Sequence, residues 1–328
     1  MTRRLTLSAL LICLIALTTA CGIPTLPEET ASSPRGTASA PHTSPSSTST
    51  KPATKSTSAT ATKRASKTAR SKPPTTSSDP QTTPKAVPTK GGKPASSFAE
   101  LAASRGGQIG IAWTDLGGRG NIHTAGSWSS GPAWSTMKVP VAIAVLRQNG
   151  STNDQMRAAI TRSDNTAAMG LWRQLGSPQQ AGAKSQQVLA RAGDTATTVQ
   201  TTVTRAGFTP FGQTNWSLTS QARFMAGVAC QQDAAPVISL MGQISPDQRW
   251  GLGRIPGVVG FKGGWGPGPD GRYLVRQMGV IRSPKGGQIA IAIASAPASG
   301  SFDGGVSDLN AIADWISSRD DLGGRRSC

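Results

Sequence analysis

The chain has 328 residues, with 34 Lys or Arg against 16 Asp or Glu, which gives a formal net charge of +18. Residues 97–328 carry +8 of this excess and residues 22–96 carry another +8, without any block of about five or six like charges. A dispersed excess is not typical of a nucleic-acid-binding surface, so we expect no nucleic-acid partner.

Residues 1–21 have the pattern of an export signal. Arg3 and Arg4 precede an apolar run, Leu5–Leu17, that is too short to span a bilayer. The small residues Thr18–Ala20 directly precede Cys21, and this arrangement resembles the lipobox of bacterial lipoproteins. The resemblance implies a lipid on Cys21 and an extracytoplasmic protein anchored to the cell membrane of a bacterium. The alternative is ordinary secretion with an incidental Cys21.

Residues 22–96 are predicted to form a disordered tether. They consist almost entirely of Ser, Thr, Pro, Ala and Lys, which cannot bury enough surface to offset the entropy of ordering. A flexible chain of about 75 residues has an r.m.s. reach on the order of 50 Å. Such a tether would lift a domain off a membrane and towards a wall polymer.

The cysteines predict one disulfide. Cys13 would leave with the signal and Cys21 would carry lipid, so Cys230 and Cys328 remain as a pair. Outside the cytoplasm two remaining cysteines are more often bonded than free. We expect a Cys230–Cys328 bond that holds the C-terminal tail.

Residues 97–328 contain all eight tryptophans and are predicted to form one α/β domain. Helices are predicted at Phe98–Ser104, Thr136–Leu146, Asp154–Thr161, Ala167–Leu175, Ala181–Ala192, Thr219–Cys230 (capped by Thr219) and Val306–Ser317. Strands are predicted at Gly107–Thr114, Asn121–Ser127, Gly257–Lys262, Tyr273–Arg282 and Gln288–Ala296. Strands at both ends with helices between them indicate a sheet backed by the terminal helices, with an inserted helical lobe.

Ser135 and Lys138 form the only S-x-x-K pattern in the chain. A serine hydroxyl is a weak nucleophile and needs a base, and residues three apart share one face of a helix. Ser135 is therefore the candidate nucleophile, and the helix that begins here adds partial positive charge beside it. The alternative is that Ser135 caps this helix while Lys138 is a surface residue.

Ser163-Asp164-Asn165, also a unique tripeptide, lies at the predicted joint between two helices. The Ser163 hydroxyl could relay a proton to a leaving nitrogen, and the Asn165 amide could hold both a lysine and a substrate. The alternative is a capping turn, since all three residue types favour such places.

The third cluster is Lys262-Gly263-Gly264, the only one of three Lys-Gly-Gly tripeptides that follows a predicted strand. A cation at position 262 could bind a substrate carboxylate, and glycines let a ligand lie against a strand edge. The backbone N–H groups of Ser135 and Trp265 would then face a developing oxyanion. The alternative is a surface lysine before a β-turn.

The three clusters resemble the S-x-x-K, S-D-N and K-T-G set of class A β-lactamases and penicillin-binding-protein-type serine hydrolases. The resemblance covers residues 97–328 and extends to Met137–Pro140, Ala158–Ala168 and Leu175–Pro178. It implies a β-lactamase-like fold, with an antiparallel sheet, and an acyl-enzyme at Ser135. Lys138 and Ser163 would manage protons. Asn165 would position the substrate, and Lys262 would bind its carboxylate.

Three departures accompany the resemblance. Class A β-lactamases use a glutamate between the second and third motifs to direct water onto the acyl-enzyme, whereas here the stretch 201–216 has no carboxylate. Deacylation is therefore expected to be slow. Gly263 replaces the usual Thr or Ser. Only 28 residues separate Ser135 from Ser163, so the helical lobe is expected to be shortened.

The function expected is that of a serine hydrolase or acyltransferase acting on β-lactams or on peptidoglycan-type D-Ala peptides. A second hypothesis is a catalytically silent lipoprotein that binds cell-wall peptides or partner proteins, and a weaker one is a basic adhesive protein. No cofactor or metal is expected, because the domain has one histidine, His123, and two distant cysteines. We expect a monomer. Trp134 and Trp265 flank the motifs and are candidates for a cleft wall.

Overall fold

The computed structural model describes residues 96–328 except 119, 284–285 and 325–327. The predicted signal peptide, Cys21 and the tether as far as residue 95 lie outside the described residues. Within the described part of the chain, no helix has the length and apolar character needed to cross a membrane.

The domain contains one five-stranded antiparallel sheet with strand order β2-β1-β7-β6-β5, and a separate two-stranded ribbon, β3-β4. The strands are β1 (Gln108–Asp115), β2 (His123–Gly126), β3 (Ser130–Pro132), β4 (Asn215–Ser217), β5 (Val258–Pro267), β6 (Tyr273–Arg282) and β7 (Gln288–Ala296). The helices are α1 (Phe98–Arg105), α2 (Lys138–Asn149), α3 (Asp154–Thr161), α4 (Asn165–Gln174), α5 (Pro178–Arg191), α6 (Leu218–Val228), α7 (Ala235–Met241) and α8 (Phe302–Ser317).

Strand β7 shows how the sheet is packed between helices. Ile289, Ile291 and Ile293 belong to one hydrophobic core with α8, whereas the alternating alanines belong to a second core with α6. This alternation follows from the period of two along a strand. The large isoleucines fill the space below α8, and the small alanines let α6 approach the sheet closely. The terminal helices therefore back the sheet, as predicted.

Helix α2 lies in the centre of the inserted lobe. All nine residues from Lys138 to Leu146 are buried, which agrees with a sequence that is apolar on every side of this helix. Pro140 is the third residue of α2 and lies within the first turn, where a missing N–H removes no intrahelical bond.

Several predicted helix starts are wrong, and those of α5 and α6 have a clear local cause. Helix α6 begins at Leu218, and its cap is Ser217 rather than Thr219, because the Ser217 hydroxyl accepts a hydrogen bond from the Ser220 N–H at 3.0 Å. Helix α5 begins at Pro178 instead of Ala181, since proline is well suited to the first helical position.

Other boundaries were predicted too short, and some elements were not predicted. Strand β5 continues past Lys262 to Pro267, because its glycine-rich half pairs residue by residue with β6. Helix α8 starts at Phe302 rather than Val306 and includes two glycines in its first turn. Helix α7 and the ribbon β3-β4 had no clear signal in the sequence. The predicted bounds of α3, β6 and β7 agree with the structure.

The sulfur atoms of Cys230 and Cys328 are bonded in the structure, across a sequence separation of 98 residues. A bond that closes so long a loop restricts the unfolded chain, so we expect Cys328→Ser to lower the free energy of unfolding by about 2–4 kcal/mol. Urea denaturation measures this difference. Wild-type protein reduced with dithiothreitol is the matched control and should unfold at the midpoint of the variant. Equal stability of oxidised and reduced wild type would contradict the prediction.

Candidate active site

Ser135 lies in a 3₁₀ turn, Trp134–Met137, that runs directly into α2; we call this segment the Ser135 turn. Neither the turn nor α2 has a side-chain cap at its start, so Ser135 is not a capping residue. Ser135 is partly exposed, whereas Trp134 and Thr136 on either side are buried. The candidate nucleophile is therefore the residue of this segment that solvent and ligands can reach.

Trp134 holds an unusual backbone conformation. Its φ is +49°, a value that costs a residue other than glycine about 1–3 kcal/mol and persists only where surrounding contacts fix it. Its ring lies against Gly266 of β5, where an added Cβ would be 2.9 Å from the ring, and 5.2 Å from the Phe208 ring, centroid to centroid. Trp134 is thus a packed wall residue, and strand β5 helps to fix the turn beside Ser135.

A buried hydrogen-bond network supports the Ser135 turn from below. The Thr136 hydroxyl donates to the Ala133 carbonyl at 2.5 Å and accepts from the Gln221 amide at 2.8 Å. Gln221 in turn accepts from the Arg276 guanidinium at 2.6 Å. The residue next to the nucleophile is therefore tied to both α6 and β6.

Arg276 organises this network. Its guanidinium donates further hydrogen bonds to the carbonyl oxygens of Gly131, Pro132 and Trp216. Burial lowers the pKa of Arg276 to about 9, which leaves the group charged at neutral pH. Arg276 and Gln221 were not predicted from the sequence. A signal was present in β6, where the polar pair Arg276-Gln277 interrupts an otherwise apolar strand.

Lys138 is completely buried and turns its amine towards the second motif. Its Nζ donates to Asn165 Oδ1 at 2.7 Å and to the Ser163 carbonyl oxygen, and it lies 3.4 Å from Ser163 Oγ. A surface role for Lys138 is therefore wrong. Ser135 lies in the turn before α2 and Lys138 is the first residue of α2, where the second motif contacts the Lys138 amine.

Lys262 reaches the same hydroxyl from the opposite side. It is completely buried in β5, and its Nζ donates to Ser163 Oγ and to the Gly263 carbonyl oxygen, each at 2.9 Å. Burial lowers the pKa of Lys262 well below its usual value, and the positive charge of Lys138 lowers it further. Ser163 Oγ thus lies between two amines. A lysine before a surface turn, the alternative from the sequence, is excluded.

Asp164 and Ser163 of the second motif have different roles. The Asp164 carboxylate caps α4 by accepting a hydrogen bond from the Ala167 N–H at 2.7 Å, so a capping role holds for this residue alone. Ser163 has a φ of +59°, in the left-handed region that serine rarely adopts. This conformation accompanies a hydroxyl that bridges Lys262 and Lys138.

Strand β5 contacts the Ser135 turn along its open edge. A Cβ added to Gly264 would lie 2.9 Å from the Ser135 nitrogen, so only glycine allows this approach. The Gly263 carbonyl accepts a hydrogen bond from the Lys262 amine. The backbones of β5 and of the Ser135 turn are therefore in close contact at Gly264, next to Trp265, whose N–H is an oxyanion donor predicted from the sequence.

The loop 201–216 covers one end of the cleft without supplying a carboxylate. Arg205 donates to the carbonyl oxygens of Pro267 and Gly268, at 2.7 and 3.3 Å, and so latches the loop to the end of β5. Asp194, the acid that precedes this loop, is buried and accepts from the Trp216 indole N–H at 2.8 Å. Its carboxylate is thus held in a structural contact.

His123 lies outside the cluster. It is exposed in β2, with its ring stacked on Trp113 at 5.2 Å between centroids. Among the residues that the structure describes, no group of three or more His, Cys, Asp or Glu is placed to hold a metal ion. The hydrogen-bonded side chains of the cluster are those of Lys138, Ser163, Asn165 and Lys262.

Comparison with solved structures identifies the architecture. A mutant of the chromosome-encoded β-lactamase of Vibrio parahaemolyticus aligns with a TM-score of 0.52 and 15% identity, over 67% of this chain and 96% of the other. The domain has the class A β-lactamase fold. The class A β-lactamase of Mycobacterium abscessus aligns with a TM-score of 0.52 and 18% identity, over 67% and 95% of the two chains. A β-lactamase from Chitinophaga pinensis aligns with a TM-score of 0.52 and 16% identity, over 67% of this chain and 97% of the other.

No protein-family model matches the sequence, and no curated protein matches it. At identities of 15–18% the likeness to these β-lactamases is one of fold. Roles for individual residues must therefore come from the geometry of this site.

The buried amine of Lys262 predicts a pH dependence of stability. Folding releases its proton between the lowered pKa and the usual value of 10.5, so the unfolded chain binds more protons there and wild-type stability rises with pH. Lys262→Met removes this rise. In urea unfolding at pH 6, 8 and 10, the free energy of unfolding of wild type should increase with pH relative to that of Lys262→Met. Lys184→Met, at a partly exposed lysine, is the control and should keep the wild-type slope. Parallel curves for wild type and Lys262→Met would refute the prediction.

Proposed function

We propose that the protein is an extracytoplasmic serine hydrolase or acyltransferase, anchored to the membrane by a lipid on Cys21, that forms an acyl-enzyme at Ser135. Its acyl donors are β-lactams or peptidoglycan-type D-Ala peptides. The observation that carries the proposal is the hydrogen-bonded group in which Ser163 Oγ lies between Lys138 and Lys262, beside the Ser135 turn. The class A β-lactamase fold of the domain supports it.

The proposed reaction begins with attack of Ser135 Oγ on the acyl carbon of the donor. The hydroxyl proton passes to an unprotonated amine of the buried group, with Lys138 one helical turn away from the nucleophile. The N–H groups of Ser135 and Trp265 stabilise the oxyanion. The bond to the leaving group breaks, and Ser163 relays the proton to the leaving nitrogen.

The buried group favours loss of a proton from one of its two amines. Two ammonium groups on one hydroxyl in a site closed to water would repel each other strongly, so the pair sheds a proton more readily than an exposed lysine does. The resulting neutral amine is the base that a serine nucleophile requires.

The second hypothesis, a catalytically silent binding lipoprotein, rests on the loop 201–216, which has no carboxylate to activate water. Against it stands the cost of desolvating two lysine amines around Ser163, which a cleft used only for holding peptides does not need. A loop without a carboxylate is compatible with catalysis if deacylation by water is slow. It is also compatible with catalysis if an acceptor other than water takes the acyl group.

Formation of the acyl-enzyme is the decisive test. Incubation of the protein with a labelled penicillin should add the mass of one penicillin, and peptide mapping should place the label on Ser135. Ser135→Ala should show no adduct, because the neighbouring hydroxyls of Thr136 and Ser163 are buried and already hydrogen-bonded within the protein. Ser151→Ala, at an exposed serine, is the matched control and should label as wild type does. An adduct that persists in Ser135→Ala would defeat the proposal and favour the binding hypothesis.

Turnover of any adduct should be slow. Without a carboxylate in the loop 201–216, no side chain there can remove a proton from an attacking water, a contribution of about 10²–10⁴ in rate. Nitrocefin should therefore give one stoichiometric burst followed by turnover far below the burst rate, measured by stopped-flow absorbance. Rapid steady-state hydrolysis without a burst would show that another group activates water.

A further inference from the structure

Two indole rings occupy the space beside Gly263. A Cβ added at this position would lie 3.3 Å from Cη2 of Trp250 and 3.4 Å from Cζ3 of Trp265. A threonine, the residue of the K-T-G pattern, would have to push its Cβ, methyl and hydroxyl against both rings. Two indole rings, which we call the aromatic wall, therefore occupy the place of the missing hydroxyl. The motif Lys262-Gly263-Gly264 alone did not predict this wall.

This wall belongs to a larger aromatic cluster, which consists of Trp250, Trp265, Tyr273 and Phe302. The ring centroids lie 5.8 Å apart for Trp250 and Trp265, 5.5 Å for Trp265 and Phe302, and 6.0 Å for Tyr273 and Phe302. Trp250 is buried, whereas the other three are partly exposed. The cluster thus extends from Gly263 to the surface, along the strand that forms the open edge of the sheet.

The cation expected to bind a substrate carboxylate lies on the opposite face of β5 from this wall, because successive side chains of a strand alternate between its two faces. Lys262 Nζ is completely buried and makes its two hydrogen bonds to Ser163 Oγ and to the Gly263 carbonyl. Burial also lowers its pKa, which disfavours the charged form of the amine. A carboxylate placed against Gly263 would lose its hydration and meet indole carbons, and such an unpaired buried charge is costly.

We propose that Trp250 and Trp265 make the site selective for acyl donors that carry an apolar ring and no free carboxylate beside the scissile bond. This inference rests on the proposed acyl-enzyme function and narrows its substrates to neutral forms, in which that carboxylate is esterified or amidated. The ring of the donor packs on Trp265, the partly exposed indole of the pair, in the offset or edge-to-face arrangements that aromatic pairs prefer.

The acylation step needs no further reactant. Ser135 Oγ bonds to the carbonyl carbon of a neutral lactam, the carbon–nitrogen bond breaks, and the nitrogen receives the proton that leaves Ser135 through the amines and Ser163. The carboxyl substituent takes no part in bond making or breaking. The charge of the carboxylate therefore affects only the affinity of the site for the donor. Selectivity between neutral and charged donors should be measurable as a difference in their acylation rate constants at low substrate concentration.

The test compares benzylpenicillin with its methyl ester, two compounds with the same ring and lactam that differ in one negative charge. Acylation of Ser135 in the full-length protein is followed by intact mass. The ester should acylate at least about tenfold faster than the acid, since an unpaired buried carboxylate exceeds that energy difference. Trp265→Ala should reduce the ester-to-acid ratio about tenfold, and Trp265→Phe should restore it.

Trp113→Ala is the matched control, because Trp113 is a partly exposed tryptophan that stacks on His123 away from β5. It should keep the wild-type ratio. If the acid reacts with Ser135 as fast as the ester, or if Trp265→Ala keeps the ratio, the aromatic selectivity is overturned while the acyl-enzyme proposal stands. If neither compound labels Ser135, and a small uncharged fluorophosphonate also fails to label it, both proposals fall together.

Discussion

The hydroxyl of Ser163 is the constraint on which the cleft depends. Two lysine side chains enter the protein interior from different elements, α2 and β5, and each brings an amine that must find an acceptor. Burying them apart would leave each with its own desolvation cost. Gathering them around one oxygen satisfies part of their hydrogen bonding and makes the charge of each depend on the other. The helical lobe and the sheet are thereby joined by a buried polar contact at Ser163.

Rigidity around that point comes from contacts that lie outside the three motifs. The left-handed backbone of Trp134 is fixed by packing on Gly266, and the Thr136 hydroxyl is tied through Gln221 to Arg276. A turn held in this way positions its hydroxyl before a ligand arrives, which lowers the entropy lost on reaction. The strain and the buried arginine are costs in folding that serve the geometry of the turn.

What the sequence could predict follows from the range of the interactions. The spacing of Ser135 and Lys138, the alternation in β7 and the apolar surface of α2 are local patterns, and the structure agrees with them. The support of Thr136 by Arg276 joins residues 140 positions apart, and no local pattern encodes such a contact. The exchange of Thr for Gly263 was visible in the sequence, but its cause was not. Trp250 reaches Gly263 from a loop that is distant in sequence. From the sequence alone, glycine at this position indicates only the loss of a hydroxyl, whereas the structure shows two indole rings in its place.

The open edge of β5 has a consequence for the protein in solution. A strand with unpaired backbone groups can pair with a strand from another molecule. The glycines that allow a ligand to approach β5 also allow another polypeptide chain to approach it. Pro267 ends the strand without an N–H to offer, and the latch of Arg205 onto its carbonyl occupies the acceptor. The length of edge open to intermolecular pairing is thus reduced to the few residues that face the cleft, which limits self-association of the protein through this strand.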